Sequence, residues 1–324
     1  MPSVDLSWLM IVAGALVGIS VGLTGMGGGA LMTPIMVLVF GVNPTAAVGS
    51  DLAASVAMKP VGAYVHHKAG TVRWDIVKWL LPTAVPAGFA GAWLISLFGE
   101  GEEVQHRLEL AIGAALLLAL AGMVARSMLT RRRNALPSTE PTRLKPVPTL
   151  IVGLVGGLVV GVTSVGSGSL IIVMLMLTHP RLRAQELVGT DLVQAIPLVA
   201  SAALGHLLFG DAKIALVGTV LLGAIPGIYL GAKLATRTRD DVLTWILATL
   251  LLGSALSLWG VPGPVILIAC GALVAFASFR MFAVPALRRR REAAGARPAK
   301  AADRTATDPD PDADPERSEP TTRR

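Results

Sequence analysis

Between Ile11 and Phe40 the chain carries no charged side chain at all. Roughly 20 apolar residues cross a bilayer as a helix, and a helix satisfies its own backbone polar groups, so such a run has few ways to fold. Further segments along the chain meet or approach that length. Of 324 residues 53% are hydrophobic and 15% charged, whereas a soluble domain carries roughly 25% charged residues. The expectation is an all-α polytopic membrane protein.

The excess positive charge is gathered rather than spread. It sits in Arg126 to Lys145 and in Arg288 to Arg291, each beside the end of an apolar segment. Clusters so placed mark cytoplasmic loops and do not indicate nucleic-acid binding. The lone Cys270 lies in ILIACGALV, cannot close an intrachain disulfide, and reads as helix packing. MPSVDLSWLM has no positive region before its apolar stretch, so the first segment reads as a retained helix.

The chain matches itself when shifted by 139 or 140 residues. GLTGMGGGAL (Gly22 to Leu31) falls on GVTSVGSGSL (Gly161 to Leu170), and VGSDL on VGTDL. His66 then meets His206, Gly70 meets Gly210 and Pro86 meets Pro226. Each half reads as an apolar helix, a glycine cluster, a short apolar run (Ala30 to Phe40; Ser169 to Thr178) and three longer helices. Those fall near 44–66, 74–98 and 107–129, then near 185–208, 214–236 and 242–259, with an extra helix near 263–283. A short run does not span a bilayer unaided, so a broken or re-entrant pair is expected. The boundaries follow: a first membrane repeat over 1–130, a cytoplasmic linker over 131–148, a second repeat with the extra helix over 149–285, and a polar, proline-rich tail over 286–324 that reads as disordered. The positive-inside rule puts the N-terminus outside and the C-terminus in the cytoplasm, so the two repeats enter the membrane from opposite sides. Inverted-topology repeats are common in secondary transporters, which bind substrate at the repeat interface.

These motifs resemble the TauE/SafE sulfite exporter family. The residues that carry the likeness are GLTGMGGGALMTP, VGSDLAASVAMKPVGAYVHHKAGTV, their counterparts GVTSVGSGSL and VGTDLVQ with H-x-x-x-G, and the Pro-x-x-x-x-Gly-Ala turn of each half. The resemblance spans about residues 8 to 283. It implies a multi-pass plasma-membrane carrier for sulfite or small sulfur-containing organic anions, with no enzymatic activity and no prosthetic group.

The residues read on their own point the same way. Glycines between two apolar helices let the backbone break inside the membrane, which is tolerated only in protein or against a wet cavity. Amides at the start of the second helix then offer a seat for an anion. The candidate substrate-binding residues are Thr24, Gly25, Gly27, Gly28 and Gly29 in the first half, and Thr163, Ser164, Gly166, Ser167 and Gly168 in the second; Ser169 adds a hydroxyl. Close helix packing also selects small residues and is the competing explanation. The literal dinucleotide pattern Gly25-x-Gly27-x-x-Ala30, with Asp51 beyond it, lacks the strand and βαβ unit that it needs.

A polar stripe lies on the third long segment. Asn43-Pro44 reads as an N-cap and first helical residue. At 100° per residue, Ser55, Lys59, Gly62 and His66 fall within roughly 80° of Asp51. The second half keeps Asp191 and His206 but loses the amine, with Gln194 to one side. Ionisable groups at membrane depth default to functional hypotheses. Lys59 is a substrate-binding candidate, and Asp51, Asp191, His66 and His206 are candidates for coupling transport to protons. Interfacial placement is the alternative for the histidines, and His66 with His67 is too sparse for a metal site. The function read here is export of a small sulfur anion by alternating access, with protons as the optional coupling ion and no cofactor. Another small anion such as a carboxylate is the runner-up. An intramembrane hydrolase using Ser167 and His206, or a non-transporting assembly factor, stands for other classes.

Overall fold

The computed structural model describes residues 4–24, 29–97, 101–133, 144–209, 213–235 and 240–279. Among them run eleven helices and no strand: α1 (Val4–Thr24), α2 (Gly29–Leu38), α3 (Pro44–Lys68), α4 (Trp74–Ser96), α5 (Glu102–Arg133), α6 (Pro146–Thr163), α7 (Leu170–Thr178), α8 (Ala184–Phe209), α9 (Ile214–Ala235), α10 (Asp240–Leu258) and α11 (Gly263–Ser278). The described residues up to Val274 form one compact unit, and those from Ala275 belong to a separate one. The apolar runs thus become helices close to where the sequence places them. At the linker the helices reach further than expected, α5 to Arg133 and α6 back to Pro146. The rest of the linker and the tail lie outside the described residues.

Among the described residues five helices have the length and apolarity to cross a membrane: 74–96, 102–125, 146–163, 185–209 and 214–231. Their large side chains face both ways, with Leu118, Ile151, Leu222 and Leu230 exposed on the outer surface. Asp51, Lys59, Asp191 and His206 are buried instead. Water would drive the reverse arrangement; a lipid surround favours this one. The chain is an all-α polytopic membrane protein.

Two glycine seams hold the bundle together. A side chain on Gly14 or Gly18 of α1 would run into the backbone of Val220 or Ala224 on α9, and one on Gly223, Gly227 or Gly231 into Ile11, Ala15 or Ile19. On the other side, Gly153, Gly157 and Gly161 of α6 lie against Leu80, Ala84 and Gly88 of α4. Position rises with position in both seams, so each pair is parallel. Small residues let backbones approach this closely in a membrane, where lipid supplies no hydrophobic drive. The seams correspond under the sequence repeat: Gly14 and Gly18 align with Gly153 and Gly157, and Val220 and Ala224 with Leu80 and Ala84.

α3 and α8 pack antiparallel. Arg73 N–H, beyond the end of α3, donates to Thr190 Oγ1 near the start of α8 at 3.0 Å. Lys213 N–H, beyond the end of α8, donates to Ser50 Oγ near the start of α3 at 3.3 Å. The two bonds join equivalent positions with the halves exchanged. They also define the two ends of the bundle. At one end Arg73 pairs with Asp75 at 2.7 Å and with Glu186 at 3.8 Å. Nearby, Lys145 N–H donates to Nε2 of the buried His179 at 3.2 Å, and the His179 Nδ1–H meets Thr178 Oγ1 at 2.9 Å. Burial holds the His179 imidazole below the usual histidine range, and the Lys145 and Arg73 charges push it the same way, against Asp75. The opposite end carries Asn43, whose Oδ1 accepts the Thr45 N–H at 2.9 Å as the N-cap of α3, with Pro44 opening the helix. Thr45 Oγ1 there reaches Gln105 Oε1 of α5 at 3.5 Å.

Candidate functional site

The break in the second half is a run of unusual backbone. α6 closes at Thr163, and Ser164 then turns left-handed at φ 58°, with Gly166 at 123° and Gly168 at 101°. Glycine adopts such values freely, but serine held there costs about 1–3 kcal/mol. Among the described residues Ser164 alone pays that without being glycine. The loop then folds on itself: the Ser169 and Ile171 N–H groups both donate to Gly166 O, at 3.3 and 3.2 Å. Those two amides are therefore occupied and do not face a ligand. Thr163 is likewise turned to backbone, donating to Val159 O at 2.7 Å and accepting the Val165 N–H at 3.1 Å.

What holds Ser164 is the stripe on α3. Its hydroxyl donates to Asp51 Oδ2 at 2.7 Å, and Thr33 Oγ1 of α2 donates to the same oxygen at 2.8 Å. Hydrogen bonds to a charged group contribute about 1.5–3 kcal/mol each, enough to offset the serine's strain. Asp51 Oδ1 is buried and has no partner among the described residues. Two turns further on, Lys59 Nζ donates to Ser167 Oγ at 3.0 Å. A helix of the first half thus reaches the break of the second at two points, Asp51 to Ser164 and Lys59 to Ser167. Asp51 is fully buried, Ser55 and Lys59 nearly so. No carboxylate stands within ion-pair distance of Lys59 among the described residues, although the fields of Asp191 and Asp51 both reach it.

Ser167 opens onto a cavity of about 30 Å³, bounded by Ser20 and Val21 of α1, Ala30 of α2, Met123 of α5, Ser169, and Leu251 of α10. That is room for about two water molecules. Its floor is hydroxyl-rich where the break lies, and its walls are apolar.

The other candidates fall as follows. Gln194 Nε2 donates to Asp191 Oδ1 at 3.0 Å, leaving Gln194 Oε1 buried without a partner among the described residues. His206 is buried, and its Nε2–H donates to Gly161 O at 2.9 Å, so it braces α6 just before the break. His66 is half-buried at the end of α3, where Nδ1 meets Thr71 Oγ1 at 2.9 Å. Gly25, Gly27 and Gly28 lie outside the described residues; Thr24 closes α1 and Gly29 opens α2. Among the described residues no cluster of His, Cys, Asp and Glu is fit for a metal ion. Thr33 was not singled out by sequence reasoning, although it sits inside the quoted glycine stretch, one residue before Pro34. Met123 and Leu251 gave no signal, because one apolar residue of a span looks like another.

The sulfite exporter TauE/SafE profile matches residues 10–258. The chain belongs to that family. Among curated relatives it is 34% identical over 251 residues to the "Probable membrane transporter protein YjnA" of Bacillus subtilis, covering 77% of this chain and 98% of that one. It is 28% identical to the "Probable membrane transporter protein YdhB" of the same organism, over 72% of this chain and 93% of that one. A "Probable membrane transporter protein" of Xylella fastidiosa is 31% identical over 69% of this chain and 83% of its own length. No solved structure matches. The break at Ser164–Gly168 and the polar positions of α3 and α8 lie inside the matched region, so this is a member of a membrane transporter family.

Proposed function

We propose that the chain is a secondary transporter that carries sulfite or a small organosulfur anion out across the plasma membrane by alternating access. The observation that carries the reading is the contact of Lys59 Nζ with Ser167 Oγ at 3.0 Å. The ammonium takes a lone pair of the hydroxyl oxygen, which leaves the Ser167 O–H to donate to a ligand in the cavity. A buried cation behind a hydroxyl, with no carboxylate in contact, favours an anion there. Met123, Leu247 and Leu251 leave space for a compact apolar substituent and little more. The family name supplies the sulfur chemistry; a small carboxylate would meet the same groups and serves as the competitor to test.

Alternating access is supported by the antiparallel packing of α3 on α8 and by the exchanged glycine seams. Equivalent helices of an inverted repeat run in opposite directions, as these do. The Arg73 end bears Lys68, Lys145, Arg181 and Arg183, which supports a cytoplasmic assignment for it, with the N-terminus outside and the C-terminus inside.

The test is radiolabelled sulfite flux from proteoliposomes. Saturable flux is expected, falling roughly tenfold or more in Lys59→Met and in Ser167→Ala, since each removes a charge-assisted contact of about 1.5–3 kcal/mol. Unsaturable flux, or flux untouched by both changes, would sink the reading. The same 3.0 Å contact has the form of a serine–lysine hydrolase pair. Against that, the Ser169 and Ile171 amides beside it are turned inward and offer no oxyanion hole. A serine-directed fluorophosphonate that labels the wild type and not Ser167→Ala would favour the hydrolase.

A further inference from the structure

The carboxylate of Asp51 is unevenly used. Oδ2 takes two hydroxyl donors, from Thr33 at 2.8 Å and from Ser164 at 2.7 Å, while the buried Oδ1 takes none among the described residues. The donors come from different halves of the chain, so one oxygen ties α2 to the second break. That break is the strand of backbone that carries Ser167, three residues beyond Ser164, and Ser164 is the residue held left-handed.

Charged neighbours set what this carboxylate can do. Lys59, on its own helix, is the charge whose field acts on it. From α8 come Asp191 and His206; Asp191 is bonded by Gln194, and His206 by Gly161 O. α2 brings no titratable group. The approach to α9 brings Lys213, held at Ser50 through its backbone N–H, and α5 begins with Glu102 and Glu103 near the start of α3, where Gln105 meets Thr45.

Resting on the anion site at Ser167, we propose that Asp51 is a proton site coupled to that anion, and that protonation at Oδ1 unlatches the second break. An anion entering beside Lys59 adds one negative charge to a buried cluster. Uptake of one proton by Asp51 from the aqueous phase restores the cluster's charge; a carboxylate becomes a carboxylic acid and nothing is oxidised or reduced. Neutral Asp51 no longer attracts the Thr33 and Ser164 hydroxyls as strongly, so the left-handed turn at Ser164 is released when the site is loaded. Anion and proton therefore bind cooperatively, and each must raise the affinity of the other by the same factor. They cross together in the same direction, so a proton gradient drives entry of the anion, and net export needs an outward anion gradient that exceeds the inward proton gradient.

The probe is methanesulfonate, a strong-acid anion that carries no proton of its own, unlike sulfite. Purified full-length protein in proteoliposomes is given methanesulfonate with and without acid on the entry side, and an internal pH dye follows protons. The expected result is methanesulfonate entry accelerated several-fold by the gradient, with internal acidification in step. In Asp51→Asn the proton movement is lost, and whatever flux remains is indifferent to the gradient. Because that variant can fail to fold, the wild type is also followed by infrared spectroscopy. A carboxylic-acid band that grows when methanesulfonate is added at constant pH supports the linkage. Saturable flux of methanesulfonate or sulfite that ignores the gradient, with no such band, overturns the proton site and leaves the carrier standing. Absence of flux for both anions, with no band, overturns both.

Discussion

Ser164 sits in a conformation that its side chain opposes, and Asp51 is what keeps it there. The two causes can be separated by substitution. Ser164→Ala keeps the strained backbone and loses the bond to Asp51; Ser164→Gly loses the bond but removes about 1 kcal/mol of strain. The glycine variant should therefore melt at the higher temperature of the two in detergent, with both below wild type. The reverse order would mean that the left-handed turn is not strained, and a variant as stable as wild type would mean that the hydroxyl bond does not hold it. His179 offers a pH test outside the spans. Its folded pKa lies below the unfolded value near 6.5. The unfolded chain thus binds the proton first, so stability is full above pH ~6.5 and is lost as pH falls through the folded value. A melting temperature that drops over that window in wild type and stays flatter in His179→Gln would bear this out. The polar stripe on α3 was legible because a helix repeats every 3.6 residues and the chain puts an acid, a hydroxyl and an amine in register. Its targets were not. Nothing in the spacing of Asp51 and Ser164 along the chain foretells a contact across 113 positions, and the inward turn of the Ser169 and Ile171 amides depends on φ values that only the fold specifies.

At the scale of elements, the seams explain why glycine recurs in α1, α4, α6 and α9. The chain's glycines looked equally suited to a broken helix or to close packing, and both uses occur: Gly166 and Gly168 take positive φ, while Gly157 and Gly227 leave room for a neighbouring backbone. Sequence could not divide them, because the same missing side chain serves each purpose. Most of the helices were legible to within about two residues, since charge-free apolar runs bounded by Asn-Pro, Gly and basic clusters leave little choice; α5 was not, running over Glu102–Arg133 where 107–129 was expected. If the seams are equivalent, their failures should be too. Gly18→Val and Gly157→Val each force a branched side chain against backbone, and overpacking costs about 1–3 kcal/mol or more. Both should lower the yield of monodisperse protein and its melting temperature to a similar degree, whereas Gly218→Val, where a side chain meets open space, should not. Unequal losses from the first two would show that one seam carries the bundle alone.

At the scale of the whole molecule, the bonds at the two ends of α3 and α8 lead to a prediction about sidedness. Arg73, Thr190, Lys145 and His179 gather at one end, and Thr45, Gln105, Ser50 and Lys213 at the other. α5 connects the two, so the turn before it and the linker after it must face opposite compartments if the bundle spans the membrane. The chain's single cysteine makes this testable. In a Cys270→Ser background, one new cysteine is placed at Lys68, Gln105, Lys145 or Lys213, and whole cells are treated with a membrane-impermeant maleimide. On the proposed orientation, with the basic end in the cytoplasm, Gln105→Cys and Lys213→Cys should label from outside, and Lys68→Cys and Lys145→Cys only after permeabilisation. Labelling of the opposite pair would invert the protein in the membrane while leaving the antiparallel repeat intact. Labelling that splits either pair would break the two-ended arrangement itself, and with it the geometric support for alternating access.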